Sequence, residues 1–279
     1  MISGVTNFDG YALIDAGDGR RLERFGSRVV DRPAPSIAET PRRAGPEPWR
    51  AADLRFIREQ GWIGDDRGSW RIAIDGLTLE LRPTAAGQLG LFPEHALGWP
   101  WLRYRLAAQP GAEVLHLFAY TGATTLALVA AGARVTHVDA SRPAVAWARR
   151  NAELSGLAER PIRWIVDDAV TYVRREERRG RRYAGIVLDP PTFGHGPAGT
   201  RWELDDALPV LLTACAGVAA PDAFVLLTAH APELAPGDLA SALEVAFGIP
   251  AELESGDLEL VAESRAVLPL GIAARMIRR

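Results

Sequence analysis

The sequence predicts an α/β protein: a seven-stranded mixed sheet with helices on both faces, preceded by a small β-rich domain. Three observations predict it. From about Gly111, apolar runs of strand length alternate repeatedly with helical patterns, as in a parallel sheet covered on both sides. The chain then closes on two β-prone runs, "DLELVAES" and "LPLGIAARMIRR", which read as a strand pair. Residues 1–85 follow another rhythm, short alternating runs separated by Asp-Gly turns.

In the first region, "YALIDAGDGRRLERFG" places Asp18-Gly19 between two strand-like runs, and "WRIAIDGLTLELRP" repeats the pattern around Asp75-Gly76. The intervening "DRPAPSIAETPRRAGPEP" is proline-rich and aperiodic, hence a loop or extended crossover. Residues 1–85 are therefore a small β domain or an extension of the main one. Residues 86–279 form the main domain. "AEVLHLF" is a buried strand and "GATTLALVAAG" the helix after it. "ARVTHVDA" is a strand, followed by the helix "SRPAVAWARRNAELSG", with Ser141 as N-cap and Pro143 in the first turn. "IRWIV" and "YAGIVLD" are strands, followed by the helical "DDAVTYVRREERRG" and "ELDDALPVLLTACAGVA". "AFVLLTA" is the fifth strand and "PGDLASALEVAFG" its helix. With the closing pair, this is a Rossmann-like seven-stranded mixed sheet.

The totals exclude some chemistry. With 279 residues, 48% of them hydrophobic, there is chain enough for a full core. Cys215 is the single cysteine, so neither an internal disulfide nor a cysteine metal cage is available. All basic residues are arginine, which rules out a lysine Schiff base or a P-loop lysine. No histidine pair has metal-ligand spacing, so no metal is expected. A net charge of −3 provides no general basic footprint, and any nucleic-acid contact must rest on local patches. The densest, Arg174 to Arg182, is equally a solvated helix end with Glu-Arg pairs. "MISGVTNFDGYALID" lacks the basic and apolar regions of a signal peptide, and no run suits a membrane span. A cytoplasmic protein without a membrane partner is expected, with a homodimer allowed.

In such a sheet, ligands bind beyond the carboxyl ends of the strands. The first strand runs into "FAYTGATT", where Gly122 permits a tight turn before a helix N-terminus. Asp139 ends the second strand, about 20 residues on, a spacing suited to ribose hydroxyls. Asp167-Asp168-Ala169 follows the third and Asp189-Pro190-Pro191 the fourth. A nicotinamide dinucleotide is disfavoured, because a single glycine replaces the G-x-G-x-x-G that a pyrophosphate needs. S-adenosylmethionine suits the pattern: Asp139 for the ribose, Asp168 for the adenine amine, and Tyr120-Thr121-Gly122 facing the amino-acid part.

Five segments, "GQLGLFPEHALGWPWL", "VLHLFAYTGATTLAL", "VTHVDASRPAVAWARRNAELSGL", "PIRWIVDDA" and "IVLDPPTFGHG", occur in this order. Here the chain resembles class I S-adenosylmethionine-dependent methyltransferases, in particular the bacterial ribosomal RNA methyltransferase-like family with a DPPxF motif. The resemblance covers most of the chain. It implies S-adenosylmethionine as methyl donor, held by Phe92, Glu94, Phe118, Tyr120, Thr121, Gly122, Asp139, Asp168 and Ala169. It also implies that Asp189 and the Pro190 carbonyl sit beside the sulfonium, where an acceptor base is placed.

Those two acceptors would take the N–H bonds of an exocyclic base amine, and Asp189 could receive the proton shed on methylation. Phe193 could stack the base, or be plain core. Pro191 and Thr192 line the acceptor side. Arg201 and Trp202 could contact RNA or cap the next helix. In many amine methyltransferases the aromatic directly follows Asp-Pro-Pro; here Thr192 intervenes, as in relatives that include cytosine-carbon-5 enzymes. Those need a cysteine nucleophile, whereas Cys215 reads as a buried hydrophobe and "LLTAHAPE" offers His230. His195 and His230 lie in strand-end loops where acid–base roles are open. His116 and His137 lie inside strands, as core histidines. Amine methylation of RNA, ribosomal RNA first, is the leading expectation. Carbon-5 chemistry, a protein or small-molecule acceptor, and a noncatalytic binding module are the alternatives.

Overall fold

The computed structural model describes residues 2–5, 7–64, 68–195 and 201–279. The chain forms two compact units: Gly98–Asp257 with Gly271–Arg279, and Ser3–Leu97 with Leu258–Leu270.

The larger unit contains strands β1 (Glu113–Leu117), β2 (Arg134–Asp139), β3 (Ile162–Val166), β4 (Tyr183–Leu188), β5 (Ala219–Ala229) and most of β6 (Glu252–Val261) and β7 (Val267–Ile277), whose joined ends lie within Leu258–Leu270 of the smaller unit. Its helices are α1 (Trp99–Ala107), α2 (Ala123–Ala130), α3 (Arg142–Leu154), α4 (Ala169–Arg178), α5 (Leu204–Val218) and α6 (Pro236–Phe247). The strand order is β6-β7-β5-β4-β1-β2-β3, and the opening strand Ile2–Val5 extends the edge beyond β6. β1 pairs in parallel with both β2 and β4, β3 continues beside β2 and β5 beside β4, and β7 runs antiparallel to β5. The expected mixed sheet is therefore present, with one more edge strand than the sequence suggested. Its order reverses between β1 and β4, which opens a crevice beyond their carboxyl ends.

The apolar runs of the central strands follow from burial on both faces. Leu115 and Leu117 of β1, Ile186 and Leu188 of β4, and Val225 and Leu227 of β5 join Tyr172, Leu211, Cys215 and Leu239 in one core. The alternate residues Val114, His116, Val187 and Leu226 are also buried, on the opposite face by strand alternation. Ser141 caps α3 as its spacing predicts, accepting a hydrogen bond from the Ala144 N–H at 3.3 Å.

The smaller unit is β-rich. It contains a six-stranded sheet from Asn7–Phe8 to Gly61–Ile63 and a separate ribbon, Trp70–Ile74 with Leu77–Leu81. Both Asp-Gly pairs form the turns expected of them: Asp18 and Gly19 have φ of 51° and 71°, and Asp75 and Gly76 have 51° and 78°. Two successive left-handed residues match the twist of the flanking strands. The proline-rich stretch holds a 3₁₀ turn at Pro35–Ile37 and a one-turn helix at Pro46–Arg50. The tip between β6 and β7 completes this unit. Glu263 N–H donates to the Leu13 carbonyl at 2.8 Å, Ser264 Oγ to Asp15 Oδ1 at 2.5 Å, and Ser36 Oγ to the Pro269 carbonyl at 2.9 Å. Among the described residues no helix is long and apolar enough to cross a membrane.

Candidate active site

The loop after β1 is held in an unusual conformation. Phe118, Tyr120 and Gly122 have φ of 54°, 48° and 83°. Left-handed non-glycine residues cost roughly 1–2 kcal/mol each and persist only where their surroundings over-determine them. Here Ala119 N–H donates to the Val138 carbonyl at 3.1 Å, Tyr120 N–H to Asp139 Oδ2 at 2.7 Å, and Gly122 N–H to the Ala119 carbonyl at 3.0 Å. Asn151 Nδ2 donates to the Thr121 carbonyl at 2.9 Å from the buried face of α3. A Cβ on Gly122 would lie 2.9 Å from that of Ala148, so the loop rests directly on α3. Gly122 then opens α2 without a side-chain cap, leaving first-turn N–H groups directed at the crevice.

Asp139 links this loop to β2. Its other oxygen accepts the Ser141 N–H at 2.8 Å. Burial pushes its carboxyl above the ordinary carboxylate range, and the two backbone N–H bonds oppose that rise. A desolvated carboxylate of this kind gains from further neutral donors such as a pair of hydroxyls. Asp168 caps α4, accepting the Thr171 N–H at 2.8 Å, and so places Ala169 at the first helical position with an outward N–H. Asp167 is turned to Arg175 instead. Phe92 and Glu94 belong to the smaller unit. The Phe92 ring lies 5.5 Å from that of His95. Glu94 is 2% exposed, and its Oε2 has no hydrogen-bond partner among the described residues. Its charge faces Arg21 and the buried Tyr11 of the same unit. In the larger unit, the uncapped helix start, the Cβ-free cradle at Gly122 and the desolvated Asp139 fit a nucleoside carrying an amino-acid tail.

Across the switch point, β4 delivers Asp189 and the prolines. Pro190 is buried and Pro191 exposed. Asp189 Oδ1 accepts a hydrogen bond from Thr228 Oγ1 at 2.5 Å, and His230 Nε2 lies 3.1 Å from the same oxygen. Thr192 turns inward, donating from Oγ1 to the His230 carbonyl at 3.2 Å. The next side chain, Phe193, is 68% exposed, so it is not part of the core. It begins a two-stranded ribbon, Phe193–His195 with Arg201–Glu203. Trp202 braces that ribbon, donating from Nε1 to the Pro191 carbonyl at 2.7 Å and packing 5.3 Å from the Phe118 ring. Gly196–Thr200 and the side chains of His195 and Arg201 lie outside the described residues. Thr228 carries no signal in the loop motif itself; the signal is a lone hydroxyl near the end of an apolar strand. Asn151 is similar, a polar residue on the apolar side of a helix.

Cys215 is fully buried, and burial pushes its thiol up to about 12. His116 and His137 share the Thr125 hydroxyl, at 2.7 and 2.9 Å, beneath the loop after β1. In the arginine-dense segment Arg174 to Arg182, Arg175, Arg179 and Arg181 pair with acids. Glu176 holds Arg179 at 2.8 Å and Arg163 at 3.3 Å, and Arg181 reaches Glu113 at 2.8 Å.

Residues 57–238 match the model of a family described as S-adenosylmethionine-dependent methyltransferases. The chain is 34% identical to the SAM-dependent methyltransferase of Agrobacterium tumefaciens. The two superpose with a TM-score of 0.91 over 98% of this chain and 92% of that one. It is 32% identical over 158 residues to the ribosomal RNA large subunit methyltransferase K/L of Magnetococcus marinus, which covers 54% of this chain and 21% of that protein. Over 82 residues it is 43% identical to the protein of the same name from Methylococcus capsulatus, which covers 29% of this chain and 11% of that one. The chain thus spans about a fifth or less of these curated relatives. The Thermus thermophilus 16S rRNA N2 G1207 methyltransferase, solved with AdoMet and guanosine, shares the fold at 22% identity and a TM-score of 0.53, over 76% of this chain and 50% of that one. On this evidence the chain belongs to the S-adenosylmethionine-dependent methyltransferase family and is an enzyme with S-adenosylmethionine as its cofactor.

Proposed function

We propose that this enzyme methylates an exocyclic amine of a nucleobase in RNA, with ribosomal RNA as the substrate. The observation that carries this reading is the Asp189-Pro190 acceptor pair at the switch point, flanked by an outward-facing Phe193. The names of the curated relatives support RNA as the acceptor. The burial of Cys215 speaks against a thiolate attack on a pyrimidine ring.

S-adenosylmethionine, when bound, supplies an electrophilic methyl group on a sulfonium. The Phe118–Gly122 loop, Asp139, Asp168 and Ala169 would hold it. Asp189 and the Pro190 carbonyl then accept the two N–H bonds of the base amine. This draws its lone pair out of conjugation and fixes its direction for an in-line displacement. Asp189 takes the proton that the amine sheds. Phe193 stacks the base, while Pro191 and Thr192 hold the ribbon in place.

The test is tritiated methyl transfer from S-adenosylmethionine to total RNA of a strain lacking this protein, followed by nucleoside mass spectrometry. An N-methylated base in RNA is expected, and Asp189→Ala should abolish it while leaving cofactor binding by calorimetry intact. Label confined to protein or small molecules would refute the RNA reading, and a ring-carbon product would refute the amine.

A further inference from the structure

We infer that Thr228, assisted by His230, is a positioning residue that sets the orientation of the Asp189 carboxylate. This rests on the reading of Asp189 as the acceptor for the substrate amine. The backbone at Asp189 is already restricted, because the proline that follows it confines Asp189 itself to extended conformations. Only rotation of its side chain remains to be fixed. The register of β4 and β5 fixes the neighbour: Leu188 lies opposite Leu227, so the next residue along each strand brings Asp189 beside Thr228.

Thr228 suits the task. It is 7% exposed, at the end of the apolar run Ala223–Leu227, and its branched side chain is stiff at χ1. Its hydroxyl donates to Asp189 Oδ1 at 2.5 Å. His230, two residues on, brings Nε2 to 3.1 Å from that same oxygen. Both groups therefore act on one edge of the carboxylate from the β5 side. The turn bearing His230 is tied back by the Thr192 hydroxyl, at 3.2 Å from the His230 carbonyl. The residue that separates Phe193 from Asp-Pro-Pro thus belongs to the same brace. A buried threonine that served packing alone would need neither its hydroxyl nor this register.

The experiment compares Thr228→Val, which keeps the shape and removes the hydroxyl, with Thr228→Ser, which keeps the hydroxyl. His230→Ala and Asp189→Ala are measured in parallel, with tritiated S-adenosylmethionine and total RNA of the deletion strain as substrates. Thr228→Val should lower kcat roughly 10- to 100-fold, the scale of a misplaced reacting group. KM for RNA, the calorimetric Kd for S-adenosylmethionine and the melting temperature should stay unchanged. Thr228→Ser should recover most of the rate, and His230→Ala should show a smaller loss, also in kcat. Wild-type kcat in Thr228→Val, or a loss seen only in cofactor binding or melting temperature, overturns the inference. If Thr228→Val does not fold, a full loss of kcat in folded Thr228→Ser overturns it as well. Asp189→Ala, which removes the acceptor oxygen, separates the two levels. If it abolishes transfer while Thr228→Val is normal, only the positioning role falls; if it transfers methyl normally, the Asp189 reading falls first.

Discussion

Replacing Gly122 with alanine perturbs the cofactor loop at one methyl group, and the structure sets the scale of the effect. The residue has φ of +83°, where an L side chain costs about 1–2 kcal/mol. The new Cβ would lie 2.9 Å from Ala148 Cβ and 3.5 Å from Ala148 Cα, on a fully buried position of α3. Overpacking of this kind costs about 1–3 kcal/mol. The two together amount to about 2–5 kcal/mol, divided between global stability and distortion of the loop. Thermal unfolding reads the first part. Calorimetry with S-adenosylmethionine reads the second, as about tenfold weaker binding per 1.4 kcal/mol. Ala148→Gly added to Gly122→Ala should remove the clash but not the backbone strain, after about 1 kcal/mol for a glycine inside a helix. A Gly122→Ala protein with native stability and native cofactor affinity would refute the account of the cradle. So would a double variant that shows no coupling between the two sites.

Three more outcomes are expected. Burial, reinforced by His116 and Arg149, holds the His137 imidazole well below its ordinary range, so the unfolded chain binds this proton first. Stability should fall as pH drops below about 6.5, by up to about 1.4 kcal/mol per unit. His137→Gln should flatten that slope in melting curves taken across pH 5 to 7 (about the titration range of histidine), and equal slopes would contradict the assignment. Cys215→Ala should retain methyl transfer to RNA and lose about 1 kcal/mol of stability in urea unfolding; loss of activity in the folded variant would bring a thiol mechanism back. Phe193→Ala should leave the melting temperature unchanged, since the ring is 68% exposed. It should raise KM for RNA by the equivalent of about 1–3 kcal/mol of stacking, and an unchanged KM would remove Phe193 from the site.

The sequence revealed what local chemistry dictates. Asp18-Gly19 and Asp75-Gly76 announced their turns because few other pairs accept two left-handed residues in succession. The central strands were legible as apolar runs because burial on both faces leaves no polar alternation. The loop after β1, with Asp139, Asp168 and Asp189, could be collected in advance because each stands at the carboxyl end of its strand. Helix α1 was not singled out: Trp99–Ala107 is short and carries Arg103, Tyr104 and Arg105 among its apolar residues. The direction of Phe193 depended on Thr192 being tied to His230, and the partner of Thr228 is 39 residues away. Such facts are set by register between strands, which a linear pattern does not carry.

The tip between β6 and β7 has a consequence for the order in which this protein can be built. Leu258–Leu270 belongs to the unit otherwise made of Ser3–Leu97, and all of Gly98–Asp257 lies between them in the chain. A ribosome therefore releases the bulk of the N-terminal unit long before the strip that supplies Ser264 to Asp15 and Pro269 to Ser36. Domains that fold as they emerge normally close in sequence order. This one must wait for its last contacts until Leu258–Leu270 has followed Gly98–Asp257 off the ribosome.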